Sequence, residues 1–455
     1  MKLKNILLVV KDIEKSIEKV KRERIDPFET ESQQIFTIVA DYIKANDKII
    51  YGGIAHNKAI GLKDVRDCFY DDNCTPDYDF YSADPIADLV KIANSLHEKG
   101  FKYIYCRDAL HTETYSLTVK GMVYCDVTYV PEKIYSNMPT ITVDNVKYVH
   151  PHFAIVDYLR MFTDPINSTF RWEKALRRFR VLWTHYKIPD FPWTPVYSRM
   201  DEINKFITDI ISRIASFGVI FIGDFVFNHY LKLSGKKQML NSHIGCLSVN
   251  YVHDVTNIYC LLKKSYNKVD TCEFYPFFQF TGRCTMFTIN DNIILRIYDN
   301  TGVCTPFVRI IYESVENVNI GTFTLVLLYY LIDAIRNKVY NLDIYKNLYS
   351  RIYRIIEIRN EYLEKHDKTI FDDTVFKEFV TNVVGTTFAL GYKKILLFEK
   401  GVPKLAYSPE SKTPFRAIRY SNTTGDKIFS KYTTIELKSA ENREKSTAHE
   451  DNESS

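Results

Sequence analysis

The chain has 455 residues, with 60 Lys+Arg against 56 Asp+Glu and a formal net charge of +4. Hydrophobic residues make up 46% and charged residues 25%, with only 16 Gly and 15 Pro, which excludes collagenous, linker-like and broadly disordered chains. At about 150 residues per domain the length points to two or three domains, and the small net charge means that any nucleic-acid site comes from local clustering.

Residues 1–24 read as a mixed-charge helix, closed by Asp26-Pro27. The first apolar run, Ile6 to Val10, is too short for a signal h-region. Thr30 to Ala45 repeats apolar residues at helical spacing. Lys48 to Tyr51 reads as a strand ending in Gly52-Gly53, and Ile54 to Ile60 as a short helix. Residues 62–76 are polar. Asp77 to Tyr81 alternates as a strand does, and Asp84-Pro85 matches a helix N-cap and first position, opening a helix to Lys99. Tyr103–Cys106, Thr114–Val119 and Met122–Val130 read as three strands. Residues 151–190 read as helical, with a boundary at Pro192 and Pro195. Helix 200–217, strand 219–222, Gly223 and helix 225–233 then repeat the earlier order. Two strands meet at Asn290-Asp291-Asn292, residues 320–365 read as helical, and the acidic end, 436–455, as a disordered tail. No apolar stretch reaches the ~20 residues of a membrane span. The nine cysteines form no CxxC pair and read as free thiols of a reducing compartment.

Three features carry chemistry. Tyr51-Gly52-Gly53 ends a strand and opens a helix, so bare backbone and unpaired N–H groups meet at a point suited to phosphate. Asp77 and Asp79 stand at i and i+2 on a strand, on one face, ~7 Å apart along it. Asp126 lies within the apolar run Val123 to Val130, where an unpaired charge is costly. Carboxylates brought together this way need a counter-charge, which a divalent cation supplies. Two such cations beside a phosphate cradle are what nucleotidyl transfer requires.

The order Gly-Gly, Asp-x-Asp, third strand Asp resembles the DNA polymerase β-like nucleotidyltransferase superfamily. The strings Ile49-Ile50-Tyr51-Gly52-Gly53-Ile54-Ala55, Pro76-Asp77-Tyr78-Asp79-Phe80-Tyr81-Ser82 and Val149-His150-Pro151 look like the poly(A) polymerase catalytic subunit of large cytoplasmic DNA viruses. The giant-virus and asfarvirus type is nearest and the poxvirus type more distant. The likeness covers residues 35–190 and is faint beyond. The 24 positions from Gly53 to Asp77 exceed the usual superfamily gap, an insertion the viral enzymes share.

The resemblance implies an α+β fold: a polymerase β-like nucleotidyltransferase domain followed by a second, degenerate one. The expected divisions are a helical segment (1–30), the catalytic domain (31–190), the inactive domain (191–400) and an extension (401–455). It also implies template-independent addition of AMP from ATP to mRNA 3′ ends. Gly52 and Gly53 would hold the triphosphate, Asp77 and Asp79 both Mg²⁺ ions, and Asp126 the ion nearer the RNA 3′-OH, with Mn²⁺ as a substitute. Expected partners are ATP, the RNA 3′ end, and either a second copy or a methyltransferase-like processivity subunit, with no membrane. The setting would be the host cytoplasm, at the viral factory, and the virion. A terminal uridylyl, CCA-adding or 2′-5′ oligoadenylate activity, or a non-catalytic RNA scaffold, stay open as alternatives.

Residues 171–187 carry a net +5. Trp172, Leu176, Phe179 and Trp183 form an apolar stripe, and Arg171, Lys174 and Arg178 lie off it, as candidates for RNA or triphosphate phosphates. In the second half, Phe221 to Val226 echoes Ile50 to Ala55, and Leu247 to Tyr251, the expected place of the Asp-x-Asp pair, lacks paired carboxylates.

Overall fold

The computed structural model describes residues 29–70, 76–111, 113–193, 208–239, 243–338, 341–387 and 406–411, together with residues 13, 16 and 17. All but residues 13, 16 and 17 of the expected N-terminal helix, the first part of the expected 200–217 helix and the acidic tail lie outside the described residues.

Two mixed sheets form the core. The first is built from β1 (Ile49–Tyr51), β2 (Tyr78–Ser82), β3 (Ile104–Asp108), β4 (Thr114–Val119), β5 (Met122–Tyr129), β6 (Thr140–Val143) and β7 (Val146–Val149). Their order is β3-β4-β5-β2-β1-β7-β6, with a short strand from Ala406–Tyr407 covering the β3 edge. Helix α1 (Glu29–Ala45) precedes β1, and α2 (Gly52–Gly61) follows it directly. Helix α3 (Pro85–Glu98) starts where Pro85 and the Asp84 cap predict, with Ala87 N–H donating to Asp84 at 3.2 Å. Strand alternation divides the sheet faces. Phe80, Cys125 and Val127 are fully buried in the core shared with α1 and α3. Asp79 and Asp126 point from the other face.

The second sheet has β8 (Ile220–Ile222), β9 (Ile244–Ser248), β10 (Val269–Phe274), β11 (Cys284–Ile289), β12 (Asn292–Asp299), β13 (Thr305–Tyr312) and β14 (Val315–Gly321). Its order, β10-β11-β12-β9-β8-β14-β13, repeats the first sheet strand for strand, with the same parallel and antiparallel pairings. Helix α6 (Asp224–Leu233) takes the place of α2, after a Gly223 with positive φ like that of Gly52. Even a β-bulge recurs. Tyr124 is the extra residue two before Asp126, and Ile294 is the extra residue two before Arg296.

Helices α4 (Pro151–Phe162) and α5 (Trp172–His185) complete the first domain, and α7 (Tyr251–Ser265), α8 (Phe323–Asn337) and α9 (Leu342–Lys365) the second. The domains meet where α4 packs on α8, its own counterpart in the duplication. Within the helical stretch 151–190, α4 and α5 are the two main helices. The helical reading of 320–365 shifts. Ile320 and Gly321 end β14, and the helix starts at Phe323, because an apolar run suits a buried strand as well as a buried helix. Among the described residues, no helix is long and apolar enough to cross a membrane.

Candidate active site

Strand register assembles the site. Tyr51 pairs with Asp79, and Asp79 pairs with Asp126 on β5. The two carboxylates therefore stand side by side on neighbouring strands, and Asp77 joins them from two residues before Asp79. Ligand oxygens of Asp77, Asp79 and Asp126 all lie within 4.8 Å of one another. Burial pushes the Asp79 carboxyl well above the usual carboxylate range, and the charges of Asp77 and Asp126 push it further. Arg171 and Arg178 offset part of this. Such a cluster is at rest only with added positive charge, and an all-oxygen donor set suits a hard cation such as Mg²⁺.

The glycines are fixed by contact as well as by conformation. Gly52 has φ +69°, and a Cβ there would stand 2.2 Å from Asp79 Oδ2. A Cβ on Gly53 would stand 2.3 Å from the Tyr70 hydroxyl. Tyr51, at the cap position of α2, offers no side-chain hydrogen bond to the first N–H groups. These N–H groups thus open beside the carboxylates, with the positive end of the helix dipole.

A basic wall faces them. Arg171, Lys174 and Arg178 line the same cleft as the carboxylates and glycines, so all eight residues singled out from sequence come together. Arg178 donates to the Tyr70 hydroxyl at 2.9 Å and lies over the Phe69 and Tyr70 rings, at 5.0 and 5.2 Å. The charge of Arg178, then burial and the charge of Arg171, lower the Lys174 pKa, with Asp77 acting the other way. The expected apolar stripe of α5 needs one correction. Ala175 and Leu182 form the buried seam, Trp172, Phe179 and Trp183 are half-buried, and Leu176 is exposed.

Other residues of the cleft carried no signal in sequence. Burial, reinforced by Arg178, lowers the His56 pKa to about 3, so the ring is neutral at ordinary pH, 2.8 Å from the Tyr158 hydroxyl. The Ser116 hydroxyl donates to Asp126 Oδ1 at 2.5 Å. The cleft has a volume of about 1430 Å³, and its far wall belongs to the second domain, including Phe278, Arg283 and Asn300.

The family model for the poly(A) polymerase catalytic subunit matches residues 37–168. The model for the C-terminal part of the APMV poly(A) polymerase catalytic subunit matches residues 219–434. A protein of Acanthamoeba polyphaga mimivirus named for a poly(A) polymerase catalytic subunit is 32% identical over 92% of this chain and 80% of its own length. Its counterpart in African swine fever virus (strain Badajoz 1971 Vero-adapted) is 29% identical over 37% of this chain and 36% of its own. The crystal structure of the Megavirus polyadenylate synthase superposes with a TM-score of 0.82 at 27% identity, covering 90% of this chain and 86% of that one. The chain belongs to the viral poly(A) polymerase catalytic subunit family.

As a member of this enzyme family it carries one intact carboxylate cluster and one dismantled copy. Ile222, paired with Gly245, stands where Tyr51 pairs with Asp79. Gly245 in turn pairs with Arg296, where Asp79 pairs with Asp126. The counterpart of Asp77-x-Asp79 is therefore His243-x-Gly245, a few residues before the Leu247–Tyr251 segment expected from sequence. Asp224 occupies the place of Gly53. It is buried and ion-paired with Arg351, and it accepts a hydrogen bond from Tyr330 at 2.8 Å. Burial opposes its charge, but Arg351, His243 and Tyr330 outweigh it and hold the carboxyl below its usual range. Where the first domain gathers three carboxylates, the second pairs its buried Asp224 with an arginine of its own.

Proposed function

We propose that this chain adds AMP from ATP, without a template, to the 3′ ends of viral mRNA in the host cytoplasm, at the cleft containing Asp77, Asp79 and Asp126. The convergence of these three carboxylates within 4.8 Å carries the reading. Asp77 and Asp79 would hold two divalent cations, Mg²⁺ with Mn²⁺ as a substitute, and Asp126 the one nearer the acceptor. Bound there, the cations supply Lewis-acid polarisation of the α-phosphate and charge neutralisation for departing pyrophosphate. Gly52 and Gly53 let the triphosphate approach the N–H groups that start α2. Arg171, Lys174 and Arg178 balance phosphate charge from the opposite side. The Asp126 carboxylate orients the RNA 3′-OH and favours loss of its proton.

The test is incorporation of each labelled NTP into an oligo(A) primer with Mg²⁺ or Mn²⁺, wild type against Asp79→Ala. Wild type should extend the primer with ATP in preference to UTP, CTP and GTP. Asp79→Ala should lose extension while keeping its circular dichroism spectrum. A preference for UTP, or near-normal tailing by Asp79→Ala, refutes the assignment.

A further inference from the structure

Two copies of one fold in one chain provide an internal comparison: a residue that serves the carboxylate site has no reason to persist where the carboxylates are gone. The strand pairings extend the row across the sheet by one more position. Tyr51 pairs with Asp79, Asp79 with Asp126, and Asp126 with Ser116 on β4. In the second sheet the same row reads Ile222, Gly245, Arg296 and Met286. The aspartate has become arginine, and the serine facing it has become methionine.

Paired residues in neighbouring strands present their side chains on the same face. Ser116 is accordingly beside Asp126, 6% exposed, with its hydroxyl donating to Asp126 Oδ1 at 2.5 Å. An aspartate on a strand can turn its carboxylate about χ2 at little cost, since that torsion is broad. The like charges of Asp77 and Asp79 favour turning it away. A buried hydroxyl donating to one oxygen opposes that rotation with a charge-assisted hydrogen bond. The next pair along the same strands, Thr114 and Thr128, is linked by its own hydroxyl bond at 2.9 Å, and Thr128 bonds the Tyr51 hydroxyl at 2.7 Å. Their counterparts in the second sheet are Cys284, Tyr298 and Ile222. Of these counterparts only Tyr298 carries a hydroxyl, and the serine and both threonines of the first domain are replaced.

We infer that Ser116 is a positioning residue for the cation site: its hydroxyl holds the Asp126 carboxylate in the orientation that divalent-cation binding and the acceptor hydroxyl require. The inference rests on the reading of Asp77, Asp79 and Asp126 given above.

The experiment compares wild type, Ser116→Ala, Ser116→Thr and Asp126→Asn in the full chain. Mn²⁺ binding is measured by electron paramagnetic resonance without ATP or RNA, and primer extension is followed as Mg²⁺ is titrated. Removing a hydrogen-bond partner behind a metal ligand typically weakens metal affinity or activity ~10–100-fold. Ser116→Ala should therefore weaken Mn²⁺ binding and raise the half-activating Mg²⁺ concentration by about tenfold, with melting in EDTA close to wild type. Ser116→Thr keeps the hydroxyl and should restore both. If Ser116→Ala matches wild type in Mn²⁺ affinity and Mg²⁺ dependence while Asp126→Asn loses both, Ser116 is an ordinary strand residue and the inference fails. If Ser116→Ala and Ser116→Thr lose affinity equally, with melting unchanged, the hydroxyl is not the cause and the inference fails too. If Asp126→Asn itself binds Mn²⁺ and extends primer normally, the proposed function falls, and the inference with it.

Discussion

Replacing Gly52 by alanine separates backbone strain from damage to the carboxylate site, because the chain contains its own control. Gly52 and Gly223 stand at matching positions, with φ of +69° and +71°. A non-glycine residue in such a conformation costs roughly 1–3 kcal/mol. Around Gly223 an added Cβ meets nothing within 4 Å, so Gly223→Ala carries strain alone. At Gly52 the Cβ would lie 2.2 Å from Asp79 Oδ2 and 2.9 Å from its Cγ. Heavy atoms rest at about 3.5–4.0 Å, so the Asp79 carboxylate must retreat by roughly 1 Å or more. A misplacement of that size can reduce turnover by about 10²-fold. Both variants should melt several degrees below wild type, since 1 kcal/mol shifts a domain of this size by about 2–4 °C. Only Gly52→Ala should lose AMP incorporation, by about 10²-fold, measured as primer extension at saturating ATP and Mg²⁺. Activity of Gly52→Ala within about threefold of Gly223→Ala would refute the claim that this glycine exists to make room for Asp79.

Charge reversal at the start of α5, Arg171→Glu with Lys174→Glu, should weaken RNA binding and flatten its dependence on salt. If both groups contact phosphates of single-stranded RNA, the slope of log K against log salt falls by about 1.4, measured by fluorescence anisotropy; an unchanged slope assigns the two groups to solvent or to the triphosphate. Glu378 sets a pH dependence of stability. Burial raises its pKa to about 7, against partial relief from the Thr324 N–H and Arg359, and Tyr230 is its other titratable neighbour. Its folded value lies above its unfolded one, so its contribution is complete below about pH 4.5 and is lost as pH rises through 7. Urea denaturation should show wild type losing about 3 kcal/mol between pH 5 and pH 8 from this group, and Glu378→Gln losing little. Parallel profiles for the two proteins would contradict this.

The carboxylates and glycines were legible in sequence because their arrangement is local. Side chains of a strand alternate faces, so Asp77 and Asp79 had to project together, and a glycine pair between strand and helix had to expose backbone N–H groups. The same locality made Asp84-Pro85 a reliable helix start. Reading failed where two conformations bury the same residues, as at Ile320-Gly321, and where a helix chooses its buried face from neighbours distant in sequence. Leu176 is exposed because the partners of α5 favour Ala175 and Leu182.

Sequence alone therefore pointed to the candidate carboxylates and glycines, to a near-neutral charge hiding a basic segment at 171–187, and to a second half that echoes the first without the paired carboxylates. Tertiary structure decided which residues stand beside them. Ser116 behind Asp126, Tyr70 under Gly53, and the cleft wall carrying Phe278 and Arg283 come from register and domain packing. Neither is encoded in a short run of residues. The counterpart of Asp77-x-Asp79 became His243-x-Gly245 for the same reason: hydrogen bonding between strands far apart in the chain fixes which residues share a row, and a small slip moves the whole set.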